Sequence, residues 1–417
     1  MKTEPSIKFF DEMINEMLEE NSLRLKKYTY EHNPASGYGC YGNRTELKLD
    51  DHPTPLQFIP SQMLENFILD LKEAGTIEKF IASHEWMDTP STHDVVEMIA
   101  HIREKYDFQY WAFRNIMLEN KALNQLTPFK LNYSQLILLQ KCEELRENNK
   151  PINIIVCHPE GDDVSVFSIF YQLWIALKWN PEHHFTICAA TNEVAQKLLN
   201  MLRTALGFYD ARALRGEGKL TLSLIPGTNE YIIKDTITGK RVCNNSILVG
   251  SAQSSDYLRG LSIEGNVLQN LAIWPDTKES PAEDLVKAIS GGVLSKPYTM
   301  QVYESVPKEG DNYFSRKWIE ANSGNSGFLP IFLPWFYDKE KKAPITLERE
   351  FAEWLWMRSH LEKDKQAQYL WHLWELGATL QNIRYYMSQR VDFKEHSLML
   401  SDFPADELTV FPSNNKA

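Results

Sequence analysis

Apolar and polar positions along the chain change their pattern near residue 133. Before it, residues 5 to 27 carry a helical repeat with charge on most faces and predict an amphipathic helix. The next stretch, holding Pro34, Gly37, Gly39, Gly42, Pro53, Pro55 and Pro60, reads as irregular. Helical patterning resumes at Ser61. Two or three helices are expected over 61 to 120, with YDFQYWAFRNIML (106 to 118) the most hydrophobic.

After residue 133 the pattern predicts a helix over 133 to 148, a polar break at Asn148 to Lys150, and a buried strand at Ile152, Ile154, Ile155 and Val156. A long apolar helix, Val166 to Trp179, precedes a second buried strand, FTICAA (185 to 190), and a helix from about Asn192 to Leu206 with Thr191 placed to cap it. Strand, helix, strand, helix predicts a parallel α/β sheet. Alternation between 219 and 250 suggests a hairpin leading into a core strand, and VLQNLAIW (267 to 274) and YTMQVYES (298 to 305) read as two further strands. Residues 346 to 390 are helical in pattern and hold Trp354, Trp356, Trp371 and Trp374, a series more typical of helix packing than of base stacking. The last residues, DFPADELTVFPSNNKA, read as an extended tail.

With 417 residues, 43% of them hydrophobic, the chain can bury a full core, and its length suits one large domain with accessory segments. No run of about 18 apolar residues exists and Met1 to Leu25 is charged throughout, which argues against a membrane span or signal peptide and places the protein in a cytoplasm. Five cysteines, odd in number and never in a CxxC pair, indicate buried thiols rather than disulfides or a zinc site. The net charge of -12 repels polyanions at long range and counts against a stand-alone DNA binder.

Four segments in one order resemble the large terminases of Bacteroidetes-type phages and prophages, the motors of DNA packaging. They are YDFQYWAF (106 to 113) with PFKLNYSQLILL (128 to 139); INIIVCHPEGDDVSVFSIFYQLWIALKWN (152 to 180); SILVGSAQSSDYLRGLS (246 to 262) with LAIWPDT (271 to 277); and VYESVPKEGDNYFSRKW (302 to 318) with FLPIFLPWFYD (328 to 338). The resemblance implies a P-loop NTPase-like α/β core over 126–340, a helical and irregular N-terminal subdomain over 1–125, and a helical C-terminal extension over 341–417. HSLMLSDFPADEL (396 to 408) is similar to the junction before the family's nuclease domain, so a nuclease is expected to be absent.

A phosphate loop needs glycines that let backbone N–H groups curl around phosphates, a lysine, and a Ser or Thr hydroxyl. Here the loop reads Cys157-His158-Pro159-Glu160-Gly161-Asp162-Asp163-Val164-Ser165, with one glycine, no lysine or arginine, and three carboxylates. Strict spacing from Gly161 puts Val166 and Phe167 where the second glycine and the lysine belong. Alignment by the helix and Trp174 instead puts His158 at an early loop lysine, and Glu160 and Asp163 at an arginine-type residue and a glycine. Three carboxylates facing a triphosphate would cost several kcal/mol in such a pocket. By the LAIWPDT resemblance the acidic pair required at the end of a core strand falls on Gln269 and Asn270, and an amide cannot act as a general base.

The resemblance retains Arg259 with Gly260 as an arginine motif, Glu304 with Ser305 as a coupling motif, and Gln135 as an adenine contact. With His158, Gly161, Asp163 and Ser165, Gln135 forms the candidate nucleotide-binding set. An isolated Arg or Glu at a strand end is more often an ion-pair residue. His183-His184 lacks a third metal ligand in sequence, SIEGN (262 to 266) lacks the setting of a nucleophile elbow, and Lys339 to Lys342 reads as a solvated loop. The resulting expectation is a terminase-like, catalytically degenerate ATPase domain of a bacterial host cytoplasm. Its expected partners are packaging proteins: a portal, a small terminase or an active large terminase. Two alternatives stand beside it: an active packaging ATPase using ATP and Mg²⁺ through an unusual loop or a neighbouring subunit's groups, and a non-enzymatic prophage paralogue that assembles with an active terminase.

Overall fold

In the computed structural model, residues 7–120, 123–253, 262–308, 310–390, 399 and 402–411 are described. The first helix, α1 (Ile7–Thr29), leads into the Pro- and Gly-rich stretch. That stretch, irregular by its sequence pattern, contains an antiparallel hairpin, β1 (Arg44–Lys48) and β2 (Leu56–Pro60). Gly37 explains part of its path. Its φ of +83° lies in the left-handed region, and a Cβ there would stand 2.0 Å from the Phe58 carbonyl oxygen, so only glycine lets the loop lie against β2.

Helices α2 (Asn66–Ala74), α3 (Ile77–Ser83), α4 (Thr92–Tyr106) and α5 (Phe108–Asn115) follow, and the first three pack with the hairpin around Leu47, Ile59, Ile68, Phe80 and Ile99. The segment expected to be one helix over 106 to 118 breaks after Asn115 and continues as a short hairpin, β3 (Met117–Asn120) and β4 (Gln125–Pro128). Helix α6 (Tyr133–Glu147) begins with a capping box. The Asn132 side chain accepts from the Gln135 N–H while the Gln135 side chain accepts from the Asn132 N–H.

The central sheet holds β5 (Ile152–Cys157), β6 (Phe185–Ala189), β7 (Leu220–Leu224), β8 (Glu230–Asp235), β9 (Arg241–Ser251), β10 (Gly265–Leu268), β11 (Met300–Ser305) and β12 (Leu329–Phe332). Their order is β12-β5-β11-β10-β6-β9-β8-β7. The first six run parallel, and β8 and β7 add an antiparallel edge. Strand β5 shows why the run is apolar throughout: Ile152, Ile154 and Val156 enter the core on one face, and Ile155 and Cys157 the core on the other.

Helices α7 (Val164–Lys178) and α8 (Asn192–Leu206) cover the first face; α9 (Ala282–Ser290) and α10 (Tyr313–Asn322) cover the second. Thr191 caps α8 as expected, accepting from the Val194 N–H. The strand predicted over 267 to 274 is shorter and earlier. It ends at Leu268, and Asn270, at φ +54°, turns the chain into a 3-10 helix over Leu271–Ile273.

Helices α11 (Glu348–His360), α12 (Lys365–Glu375) and α13 (Leu380–Gln389) pack with α1 around Trp335, Trp356, Leu370, Trp374 and Tyr386. Phe403, placed in the expected tail, is buried in this cluster, 5.3 Å from the Trp335 ring between centroids. No described helix is long and apolar enough to cross a membrane.

Candidate functional site

From β5 the chain runs through α7 to β6, which lies beyond β11 and β10, while β12 pairs on the opposite side of β5. Open α/β sheets take ligands at such a switch point, in the crevice outside the carboxyl ends of the strands. Three of the expected site segments end there: the loop after β5, Gln269-Asn270 after β10, and Glu304-Ser305 closing β11.

The loop turns at Gly161, whose φ of +93° is left-handed, and reaches α7 through Asp163, also left-handed at φ +50°. An N-cap residue normally lies in the β region. In its unusual conformation Asp163 makes no side-chain cap hydrogen bond. Ser134 of α6 donates to Asp162 Oδ2 at 2.8 Å, and Gln135 Nε2 donates to the Asp163 carbonyl at 3.3 Å, so the start of α6 supports the loop from below.

His158 and Glu304 form the centre. His158 Nε2 lies 2.8 Å from Glu304 Oε2, Nδ1 lies 2.8 Å from the Pro159 carbonyl oxygen, and Ser165 Oγ donates to the other Glu304 oxygen. Glu304 is fully buried and His158 nearly so. Burial by itself would lower the His158 pKa, but the hydrogen bond and charge of Glu304, the Pro159 carbonyl and the charge of Asp162 raise it above its ordinary value. Burial pushes Asp162 up to about 6, against the opposing pull of His158, Ser134 and Lys341. The Ser305 hydroxyl accepts from the Ala272 N–H at 3.0 Å, and the His158 N–H donates to the Ser305 carbonyl at 3.2 Å, so the ends of β5, β10 and β11 are tied together.

Lys341 reaches this loop from far downstream in the chain. Its Nζ donates to the Glu160 carbonyl at 3.2 Å and lies 4.0 Å from Asp338. Its own carbonyl accepts from Asn382 Nδ2 of α13 at 2.7 Å, so the C-terminal helices set its position.

No protein-family model and no curated protein matches this sequence. Among solved structures, the chain is similar to the ATPase domain of the Thermus phage P74-26 large terminase, at 17% identity and a TM-score of 0.32, covering 51% of this chain and 84% of that one. It is similar to the large terminase of a thermophilic bacteriophage in complex with ADP, at 16% identity and a TM-score of 0.34, covering 48% of this chain and 44% of that one. The HK97 bacteriophage large terminase matches at 12% identity and a TM-score of 0.41, over 67% of this chain and 54% of its own. The chain thus spans about half the length of the last two terminases.

The sequence-predicted residues divide into four groups. His158, Ser165, Glu304 and Ser305 meet at the site, with Gly161 and Asp163 in the loop above them. Gln135 is buried, with Oε1 held in the α6 capping box and Nε2 on the loop. Gln269 and Asn270 follow the end of β10, and the Gln269 Oε1 is buried with no hydrogen-bond partner among the described residues. Arg259 and Gly260 lie outside the described residues. Phe167, where strict spacing from Gly161 would put the lysine, packs in the core 5.6 Å from Phe108. A lysine at 167 would point into that core.

Three contributors were missed in the sequence: Asp162 as a buried carboxyl, Ser134 as its donor, and Lys341. No local signal marks Lys341, which sits in the charged run 338 to 342. Away from the site, His183 is buried against Gln172, and burial, reinforced by the charge of His184, lowers its pKa to about 3, so it is a neutral core residue.

Proposed function

We propose that the chain is a terminase-like ATPase-fold module that does not hydrolyse ATP and acts through protein partners in phage DNA packaging. The observation that carries this reading is the pairing of His158 and Ser165 with Glu304. The imidazole and hydroxyl that would have to meet a phosphate are spent on a buried internal carboxylate. Gln135, the candidate adenine contact, is likewise committed to the α6 cap and the loop.

ATP and Mg²⁺ do not fit these residues. The loop 157–165 has no lysine or arginine of its own, and amides stand at Gln269 and Asn270, where a general base would be needed. The phage assignment rests on the order of the four resembling segments, and a portal, a small terminase or an active large terminase is the partner class it implies. The net charge of -12 makes protein partners a better match than DNA alone.

The active-motor alternative has one observation on its side, the Lys341 ammonium on the loop. Titration of the purified chain with a fluorescent ATP analogue and thermal shift with and without Mg²⁺ separate the two. A flat response is expected. Saturable, Mg²⁺-dependent binding that disappears in Lys341→Met would overturn the inactive reading and assign the missing cation.

A further inference from the structure

The His158 ring faces an acceptor on each side, the Pro159 carbonyl oxygen at Nδ1 and the Glu304 carboxylate at Nε2, both at 2.8 Å. A neutral imidazole has a single N–H and cannot serve two acceptors. The arrangement therefore holds one proton more than a neutral histidine beside a carboxylate supplies, and that proton belongs to the pair. With Glu304 fully buried and His158 at 7% exposure, no bulk water stands ready to replace a lost partner.

The pair sits at a seam. His158 opens the loop between β5 and α7, Glu304 lies near the end of β11, and Ser165 in the first turn of α7 holds the second carboxylate oxygen. One carboxylate thus joins a strand, a loop and a helix. We propose that the His158–Glu304 pair is a proton-operated latch, closing the loop 157–163 over the ends of β5 and β11 when protonated and releasing it when the proton leaves. The inference does not depend on whether nucleotide binds.

The charged groups around the ring all act on the same equilibrium. Glu304 faces it from β11, and Asp162 faces it from the loop; both favour the imidazolium. Lys341 and Asp338, from the segment after β12, act on Asp162 with opposite signs, and Glu160 lies at the exposed rim of the loop. The neighbours from α6 and α7, Ser134 and Ser165, are neutral hydroxyls. The Cys157 thiol is pushed well up by burial and stays protonated. Because the folded His158 value is raised, the latch is fully closed below the ordinary histidine range and opens as pH rises through the folded value.

Hydrogen–deuterium exchange of the full chain, corrected for the intrinsic pH dependence of exchange, reads this directly. Between about pH 6 and about pH 9 the protection of amides 157 to 166 should fall while that of α8 stays constant, about tenfold for each unit by which the folded value exceeds the open one. Ser165→Ala leaves the histidine pair in place and keeps this profile, and Glu304→Gln abolishes it. Constant loop protection across the range in the wild-type chain, or an equal loss in α8, would overturn the latch whatever the variants do.

Discussion

Glu104 offers the sharpest test of how the N-terminal helices are joined to the sheet, and its strength follows by two routes. The carboxylate is 1% exposed and accepts from Lys178 Nζ of α7 at 2.5 Å and from Asn115 Nδ2 at 2.9 Å; Arg114 Nε lies 3.1 Å away and the His101 ring 3.6 Å away. Burial alone would raise its pKa, but His101, Lys178 and Asn115 outweigh burial and bring it from 4.5 to about 2. At 1.36 kcal/mol per unit, that shift corresponds to roughly 3 kcal/mol of stability at neutral pH. Removing one partner of a buried pair costs about 3–5 kcal/mol, and the partial exposure of Arg114 favours the low end. Glu104→Gln should therefore lower stability at pH 7 by about 3 kcal/mol, read from the urea midpoint.

The sign of the pH dependence makes the test specific. A depressed carboxyl contributes stability that is present above its unfolded value and is lost as pH falls through the folded one. The gap between wild type and Glu104→Gln should thus shrink to about 1.5 kcal/mol near pH 3. A gap that is the same at both pH values would mean that the glutamate acts by shape and packing, and the electrostatic account would fail.

Asp162 should behave in the opposite way. Its carboxyl is raised to about 6 and 2% exposed, so ionising it at neutral pH costs stability, and Asp162→Asn, which can still accept from Ser134, should stabilise the chain by about 2 kcal/mol at pH 7. That gain should vanish below about pH 4, and a destabilised variant at pH 7 in thermal melts would show that the charge is needed by His158 or Lys341. Asn132→Ala should cost about 1 kcal/mol by removing the α6 capping box, and because Gln135 also holds the Asp163 carbonyl, the loss should appear as faster amide exchange at 161 to 164 as well as a lower melting temperature.

What was legible in the sequence was legible for local reasons. Strand β5 and helices α7 and α8 announce themselves because both faces of β5 and most of α7 are buried, and because Thr191 is a local cap. The hairpin β1–β2 was hidden among prolines and glycines, since its fit depends on Gly37 lying against the Phe58 carbonyl, a partner distant in the chain. At the site, the loop after β5 and the amides after β10 were found because they sit next to strongly apolar strands. The contacts among Ser134, Asp162, Lys341 and Glu160 were not legible, because they join separated segments and leave no periodic trace. Lys341 in particular is 17% exposed at its side chain although its neighbours Lys339 and Glu340 are solvated.

The same geometry constrains both positions at which the resemblance would put a loop lysine. Position 167, where strict spacing would put it, faces the core beside Phe108 and Tyr171, so an ammonium there would have to be buried. Position 158, where the helix-anchored register puts it, already holds an imidazole hydrogen-bonded to Glu304. A carboxylate that is 0% exposed needs charge-assisted donors, and His158 and Ser165 supply them. A phosphate entering the loop would compete with Glu304 for both donors while facing Glu160, Asp162 and Asp163, and the cation at hand, Lys341, is already engaged by the Glu160 carbonyl. The crevice at the switch point is thus organised around an internal anion, the Glu304 carboxylate.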